Sequence, residues 1–285
     1  MVDGASSFKL LAVDLDGTLL DSAHRVPAGN RAALHRAHQA GIKIVLCTGR
    51  SFTETRPILD EIGLDLDASV TAGGAILTDV STSKTIARTS IPPADAHAAT
   101  EWLQRRGYAV LWLYDPDQAG FDGYDIAGPR RHAKYDRWVA RTPCDVRSID
   151  RIPDEGFAPV RITIVDEAAV LAQVSAEFGP AFQDRLTHNF LRVPTTDTMI
   201  IEAFARSVDK WNGVAKLCRR WKIDPRHTVA VGDDVNDVEM VRRAGLGVAV
   251  ANACAAVKGV ARRITGSNDD CGVAKLLDEL LDGSA

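Results

Sequence analysis

The stretch VDLDGTLLDS, Val13 to Ser22, decides the fold. It closes an apolar run, FKLLAVDL, and then sets two carboxylates, Asp14 and Asp16, just ahead of Gly17 and Thr18. A short, nearly continuous apolar run is the pattern of a parallel strand buried on both faces. In open parallel sheets, ligands bind beyond the carboxyl ends of the strands. Negative charge crowded at such an end calls for a counter-charge, because neighbouring carboxylates push each other's pKa values upward.

The flanking residues extend the same grammar. A helix is predicted after the first strand, with Pro27 in its first turn, Leu34, Ala37 and Ala40 on its apolar side and Gly41 at its stop. IKIVLC reads as a second buried strand ending at Thr48, Gly49 and Arg50. Ser51 and Glu54 have the spacing of a capping box for the next helix, although Pro57 leaves its start open. ASVTAG is a third strand, ending in Gly73 and Gly74. Towards the C-terminus the pattern recurs: a helix from Trp211 to Trp221, the strand TVAVG, a helix through Val238 to Arg243, the strand GVAVA, and an amphipathic helix through Val273 to Leu281. Such alternation defines an α/β class, a doubly wound parallel sheet covered on both faces with right-handed crossovers.

Between Thr82 and Ile200 the texture changes. A helix from Pro93 to Arg106, the strand YAVLWLY, a loop rich in Asp, Gly and Pro, the strand VRITIV and a helix from Ala168 to Phe178 predict an inserted α+β domain at 82–200. The core, 1–81 with 201–285, is then discontinuous. A chain of 285 residues, 46% hydrophobic, accommodates two domains of ordinary size.

Charge and cysteine usage exclude several classes. The formal net charge is −4 and no basic face stands out, so a nucleic-acid partner is not expected. The pairs Arg105/Arg106, Arg130/Arg131, Arg219/Arg220 and Arg242/Arg243 read as solvated helix faces. The 5 cysteines are scattered and lack CxxC spacing, which argues against a disulfide framework or a zinc site. No basic leader and no apolar run of the ~20 residues needed to cross a bilayer are present, so a cytoplasmic protein with no membrane partner is expected, as a monomer or homodimer.

The polar residues at the strand ends suit phosphoryl transfer. Asp14 and Asp233 are candidate ligands of a hard cation, with a backbone carbonyl near Asp16 as a third; Mg²⁺ takes one or two carboxylates together with substrate phosphate oxygens. With charge neutralised, Asp14 can attack phosphorus and form an aspartyl-phosphate, while Asp16 serves as general acid and then general base. Gly17 lets the chain turn tightly. Thr48 offers a hydroxyl and Gly49 an N–H for a phosphate oxygen, Lys210 a compact positive charge, and Asp237 a partner for that lysine.

These residues carry a resemblance. VDLDGTLL, CTGR, SVDK and VGDDVNDVEM, in that order, are similar to the four signature motifs of the haloacid dehalogenase (HAD) superfamily of aspartyl-phosphate phosphatases, and of its Cof-type branch in particular. The tail GLGVAVANACAAVKGVARRITGSNDDCGVAKLL resembles that branch as well. The resemblance implies a Rossmann-like core with a C2-type cap, Mg²⁺ dependence and hydrolysis of phosphate monoesters of small metabolites, sugar phosphates foremost. It makes Asp14 the nucleophile, Asp16 the acid/base, Thr48 and Lys210 phosphate anchors, Asp233 a metal ligand, and Asn236 and Asp237 supporting polar groups. Two positions depart from the pattern: Gly73 stands where an asparagine is frequent, and Trp211 follows Lys210 in place of a small residue.

Blander readings compete at several positions. Asp234 suits a helix cap better than a metal. Cys47 suits a buried apolar position. His35 and His38 suit an exposed helix face. Thr48 can cap the next helix, and Lys210 can be a surface lysine paired with Asp209. In the middle segment Tyr124, Arg130, Arg131, His132, Lys134 and Tyr135 are candidates for contacting a sugar or a second anionic group, or form a hydrated loop. The alternatives to a phosphatase are a metabolite-binding or regulatory module that keeps the fold without turnover, and, more remotely, a phosphomutase.

Overall fold

The computed structural model describes residues 8–128, 135–136, 139–140, 142–152, 156–193 and 198–283. The chain divides into two compact units, 1–84 with 209–285, and 85–208. In chain order the first unit opens with strands β1 (Leu10–Asp14), β2 (Lys43–Cys47), β3 (Ala68–Thr71) and β4 (Ile76–Asp79). After β5 (Lys84–Arg88) come β6 (Val110–Leu113), β7 (Gly123–Ala127), β8 (Asp145–Ser148), β9 (Arg161–Asp166), β10 (Leu186–Val193) and β11 (Thr198–Ala205), before the chain returns for β12 (Thr228–Gly232), β13 (Leu246–Ala249) and β14 (Arg263–Ile264).

The sheet of the first unit runs β14-β13-β12-β1-β2-β3-β4, all parallel except β4, which is antiparallel to β3. β1, LLAVD, is buried at every position, as its unbroken apolar pattern requires of a central strand covered on both faces. Helices Ala28–Gln39 and Gly272–Leu281 pack against each other over one face and bury Leu34, Leu276, Leu277 and Leu280 with Leu11, Val13, Ile44, Leu46 and Val231. Each such aliphatic side chain taken out of water contributes about 1.5 to 3 kcal/mol. Two registers align the strand ends: Asp14 lies opposite Cys47 on β2, and Val13 opposite Val231 on β12. The residues just past these strands therefore meet at one edge of the sheet.

Two local features differ from the sequence reading, the turn at Gly73–Gly74 and the burial of His35, and the helix start near Pro57 is settled by the capping box the sequence pointed to. Gly73 and Gly74 do not simply end β3: residues Ala72–Gly74 form a 3-10 turn that leads straight into β4, which pairs back antiparallel on β3 as a hairpin. Pro57 lies inside the helix Phe52–Ile62, which starts at the Ser51–Glu54 capping box because that box satisfies the first backbone donors before the proline is reached. His35 is half-buried and hydrogen-bonded to the carbonyl of Ile62 at 2.8 Å, unlike the exposed His38.

The second unit is α+β. Its sheet runs β10-β11-β9-β6-β7-β8, antiparallel throughout except for the parallel pair β7 and β8. Helices Pro93–Gln104 and Ala168–Phe182 belong to the same unit; Trp112 Nε1–H on β6 donates to Thr100 Oγ1 at 2.8 Å, and Phe178 stacks on Phe182. β11 pairs with both β9 and β10, so this unit continues to Val208 and does not stop at Ile200. All 5 cysteines are free thiols. Among the described residues no helix is long and apolar enough to cross a membrane.

Candidate active site

β1 delivers Asp14, and residues Leu15–Leu19 then wind through one wide turn closed by the Leu20 N–H on the Leu15 carbonyl at 2.9 Å. The turn works because Gly17 takes φ +80°, and because a Cβ there would stand 2.3 Å from Asp233 Oδ2. Thr18 Oγ1 donates to Asp233 Oδ1 at 2.9 Å, which ties the end of β1 to the end of β12.

Lys210 is the hub. It opens the helix Lys210–Trp221, whose N-cap is Asp209: the Asp209 side chain accepts from the Asn212 N–H at 2.6 Å and from Asn212 Nδ2 at 2.8 Å. Asp209 is therefore a cap, and Lys210, 1% exposed, is no surface lysine. Its Nζ donates to Asp14 Oδ1 at 2.5 Å and to Asp237 Oδ1 at 2.7 Å. Burial works against the ammonium, but the two carboxylates outweigh it and raise the Lys210 pKa, so the charge is secure. Asp237 is saturated: its Oδ2 also accepts the N–H groups of Asp233 (3.0 Å) and Asp234 (3.2 Å). Asp234 caps the 3-10 turn Val235–Asp237 in a capping box with Asp237, as its place just before a helix start suggests. Asn236 sits half-buried in that turn, with no hydrogen bond to the other candidate residues among the described ones.

One carboxylate oxygen of each of Asp14, Asp233 and Asp237 lies within 4.8 Å of the others. Burial, then the charge of Asp237, raises the Asp14 pKa well above the usual carboxylate range; burial and Asp237 likewise push Asp233 up to about 7. The donor set fits a hard divalent cation. Asp14 Oδ2 and Asp233 Oδ2 accept no hydrogen bond among the described residues, whereas Asp237 has its donors already. Two under-used oxygens on mutually repelling carboxylates are what such a cation takes.

The Asp16 carboxylate stands apart from that cluster. Arg50 grips it with both arms of the guanidinium, Nε to Oδ2 at 2.8 Å and Nη2 to Oδ1 at 2.6 Å. Thr48, buried one residue beyond β2, accepts the Arg50 N–H on its hydroxyl at 3.1 Å, and Gly49 is half-buried beside it. Sequence reasoning had Arg50 only as the end of a strand; an arginine directly after Thr-Gly at a strand end was the available signal. It also missed Asn252, whose Nδ2 donates to the Gly17 carbonyl at 2.7 Å while its Oδ1 accepts the Asn268 N–H at 3.0 Å, so the C-terminal tail braces the Gly17 turn. Cys47 is fully buried and burial holds its thiol far above the reactive range, so it is no nucleophile. Of the middle-segment candidates, Tyr124 is buried and accepts a hydrogen bond from Arg161 Nη2 at 2.6 Å, and Tyr135 is buried too. Arg130, Arg131, His132 and Lys134 lie outside the described residues.

An aspartate-bearing strand end, a bridging lysine and a second acidic strand end on a doubly wound sheet define a class, and comparison with known proteins gives the same one. The chain belongs to the haloacid dehalogenase-like hydrolase family, whose model matches residues 11–277. It is 30% identical over 276 residues, 96% of this chain and 98% of the relative, to the putative phosphatase YxeH of Bacillus subtilis. It is 27% identical over 290 residues to YwtE of the same organism, a 5-amino-6-(5-phospho-D-ribitylamino)uracil phosphatase, covering 96% of this chain and 99% of that one. Among solved structures, the HAD subclass IIB sugar phosphatase BT4131 shares the fold with a TM-score of 0.78 at 22% identity, covering 95% of this chain and 98% of that one. The protein is thus an enzyme, a phosphatase of this family.

Proposed function

We propose that the protein hydrolyses phosphate monoesters of small metabolites, sugar phosphates foremost, in a Mg²⁺-dependent reaction through an aspartyl-phosphate on Asp14. The observation that carries this reading is the buried Lys210 bridge, which holds Asp14 by Oδ1 and leaves Oδ2 without a hydrogen-bond donor among the described residues, beside an Asp233 oxygen in the same state.

In this reading Asp14 and Asp233 hold Mg²⁺, with a main-chain carbonyl near Asp16, and the ion supplies the neutralisation that lets a carboxylate approach a phosphate dianion. One carboxylate oxygen of Asp14 attacks phosphorus as the bond to the ester oxygen breaks, and protonated Asp16 gives its proton to that departing oxygen. The alcohol leaves. Asp16, now a carboxylate, takes a proton from a water whose oxygen attacks phosphorus; the bond to the Asp14 oxygen breaks and inorganic phosphate is released. Thr48 and Gly49 serve as donors to the non-reacting phosphate oxygens, Lys210 keeps Asp14 oriented and adds positive charge, and Asn236 and Asp237 support the loop. The preference for sugar phosphates is supported by YwtE, whose named substrate carries its phosphate on a ribityl chain. A cytoplasmic setting and a monomer or homodimer belong to the same reading.

Phosphate release from a panel of sugar phosphates, phosphoglycolate, nucleotides and pyridoxal phosphate tests it, run with Mg²⁺, with chelator, and with Asp14→Asn. Turnover of at least one ester, abolished by chelator and by the substitution, is expected. Undiminished release by Asp14→Asn, or release indifferent to chelation, overturns the mechanism.

A further inference from the structure

Arg50 has no part in the chemistry above, yet its side chain is fixed as firmly as any in the cluster. Its N–H is held by Thr48 Oγ1 at 3.1 Å and its carbonyl accepts the Ala72 N–H at 2.8 Å, so its backbone is tied between the ends of β2 and β3. From that anchored base the guanidinium meets both oxygens of Asp16 at 2.6 and 2.8 Å. Among the described residues these are the hydrogen bonds that the Asp16 carboxylate accepts; His24 Nδ1, at 3.8 Å, is too far to add one. The side chains are only 22% and 31% exposed, and two parallel charge-assisted bonds fix the plane of a carboxylate as well as its position. Asp16 itself lies on the irregular part of the Leu15–Leu19 turn, φ −75° and ψ 119°, where no regular helix sets its direction.

We infer that Arg50 is the positioning residue of the proton-transfer step: the fork from the end of β2 sets where Asp16 presents its oxygens. This rests on the phosphatase reading, with Asp16 as acid and base. Proton transfer requires heavy atoms within hydrogen-bond reach, and a carboxylate misplaced by about 1 Å loses on the order of 100-fold in rate. Arginine is required for the double contact; a lysine reaches as a point charge and keeps part of the effect.

Leaving-group dependence separates this role from a structural or phosphate-binding one. The experiment compares wild type, Arg50→Met and Arg50→Lys on p-nitrophenyl phosphate, whose phenolate leaves without a proton, and on the sugar phosphate that the wild type turns over fastest. For Arg50→Met, kcat/KM on the sugar phosphate is expected to fall by about 100-fold, with Arg50→Lys in between. On p-nitrophenyl phosphate kcat/KM stays within a few-fold, while kcat falls because the water step still needs Asp16, so KM falls with it. In an Asp16→Asn background Arg50→Met costs nothing further. Equal loss of kcat/KM on both esters with weaker inhibition by inorganic phosphate makes Arg50 a phosphate anchor and overturns the proposal, as does an additive loss in the Asp16→Asn background. Wild-type protein that turns over neither ester refutes the phosphatase reading itself; normal wild-type turnover with unaffected Arg50 variants refutes the role of Arg50 alone.

Discussion

Lys210 shows what one buried charge does for this site. Two carboxylates share its ammonium, and the three side chains are nearly inaccessible to water. Removing the cation leaves Asp14 and Asp237 buried without it, which in comparable buried pairs costs about 3 to 5 kcal/mol. Lys210→Met is therefore expected to lower stability by that order in urea unfolding of the metal-free protein, and to abolish turnover; a change under about 1 kcal/mol contradicts the bridge. The sequence could show the lysine but not its burial, because SVDK reads equally well as an exposed helix start with an adjacent aspartate. Asp209 turned out to have the capping work, and that freed Lys210 to point inward.

At the scale of elements, the site depends on how closely two of them approach. The turn Ala72–Gly74 lies against the start of the helix Lys210–Trp221, and a Cβ on Gly74 would stand 2.1 Å from the Asp209 carbonyl oxygen at a φ of +106°. Gly74→Ala is expected to push that helix start away and to strain the turn, at about 1 to 3 kcal/mol. Because Lys210 is the next residue, activity falls with stability, and differential unfolding together with kcat/KM reads both; full activity in Gly74→Ala shows that the approach is not what places the lysine. The pair Gly73–Gly74 was visible in the sequence as a strand end. That it makes a hairpin turn and a contact with residue 209 was not, since the contact joins segments far apart in the chain. The capping box at Ser51 was legible for the opposite reason: its two halves lie three residues apart and satisfy each other locally.

Across the whole unit that carries the site, the proposed metal site ties pH and metal to the same carboxylates. Burial and Asp237 hold Asp233 at about 7, above the ordinary carboxylate value of 3.8. In the metal-free protein the folded state then keeps a proton that the unfolded chain has lost, so this group favours folding below the ordinary value and that advantage fades as pH rises through about 7. A cation binds the deprotonated form and replaces what is lost. The rise in Tm on adding Mg²⁺ is expected to grow between about pH 5 and about pH 8; an increment that is flat over that range removes Asp233 from the metal site. The sequence by itself determined the strand and helix alternation, the doubly wound class and the identity of Asp14, Asp16, Thr48, Lys210 and Asp233 as candidates, because apolar periodicity and strand-end position are local properties. Only the tertiary structure decided that Arg50 grips Asp16, that Asn252 braces the Gly17 turn, and that VDLDGTLLDS faces Asp233 across a gap only a glycine can leave. Those depend on which strand ends become neighbours, and strand order in a parallel sheet is set by crossovers that no short stretch contains.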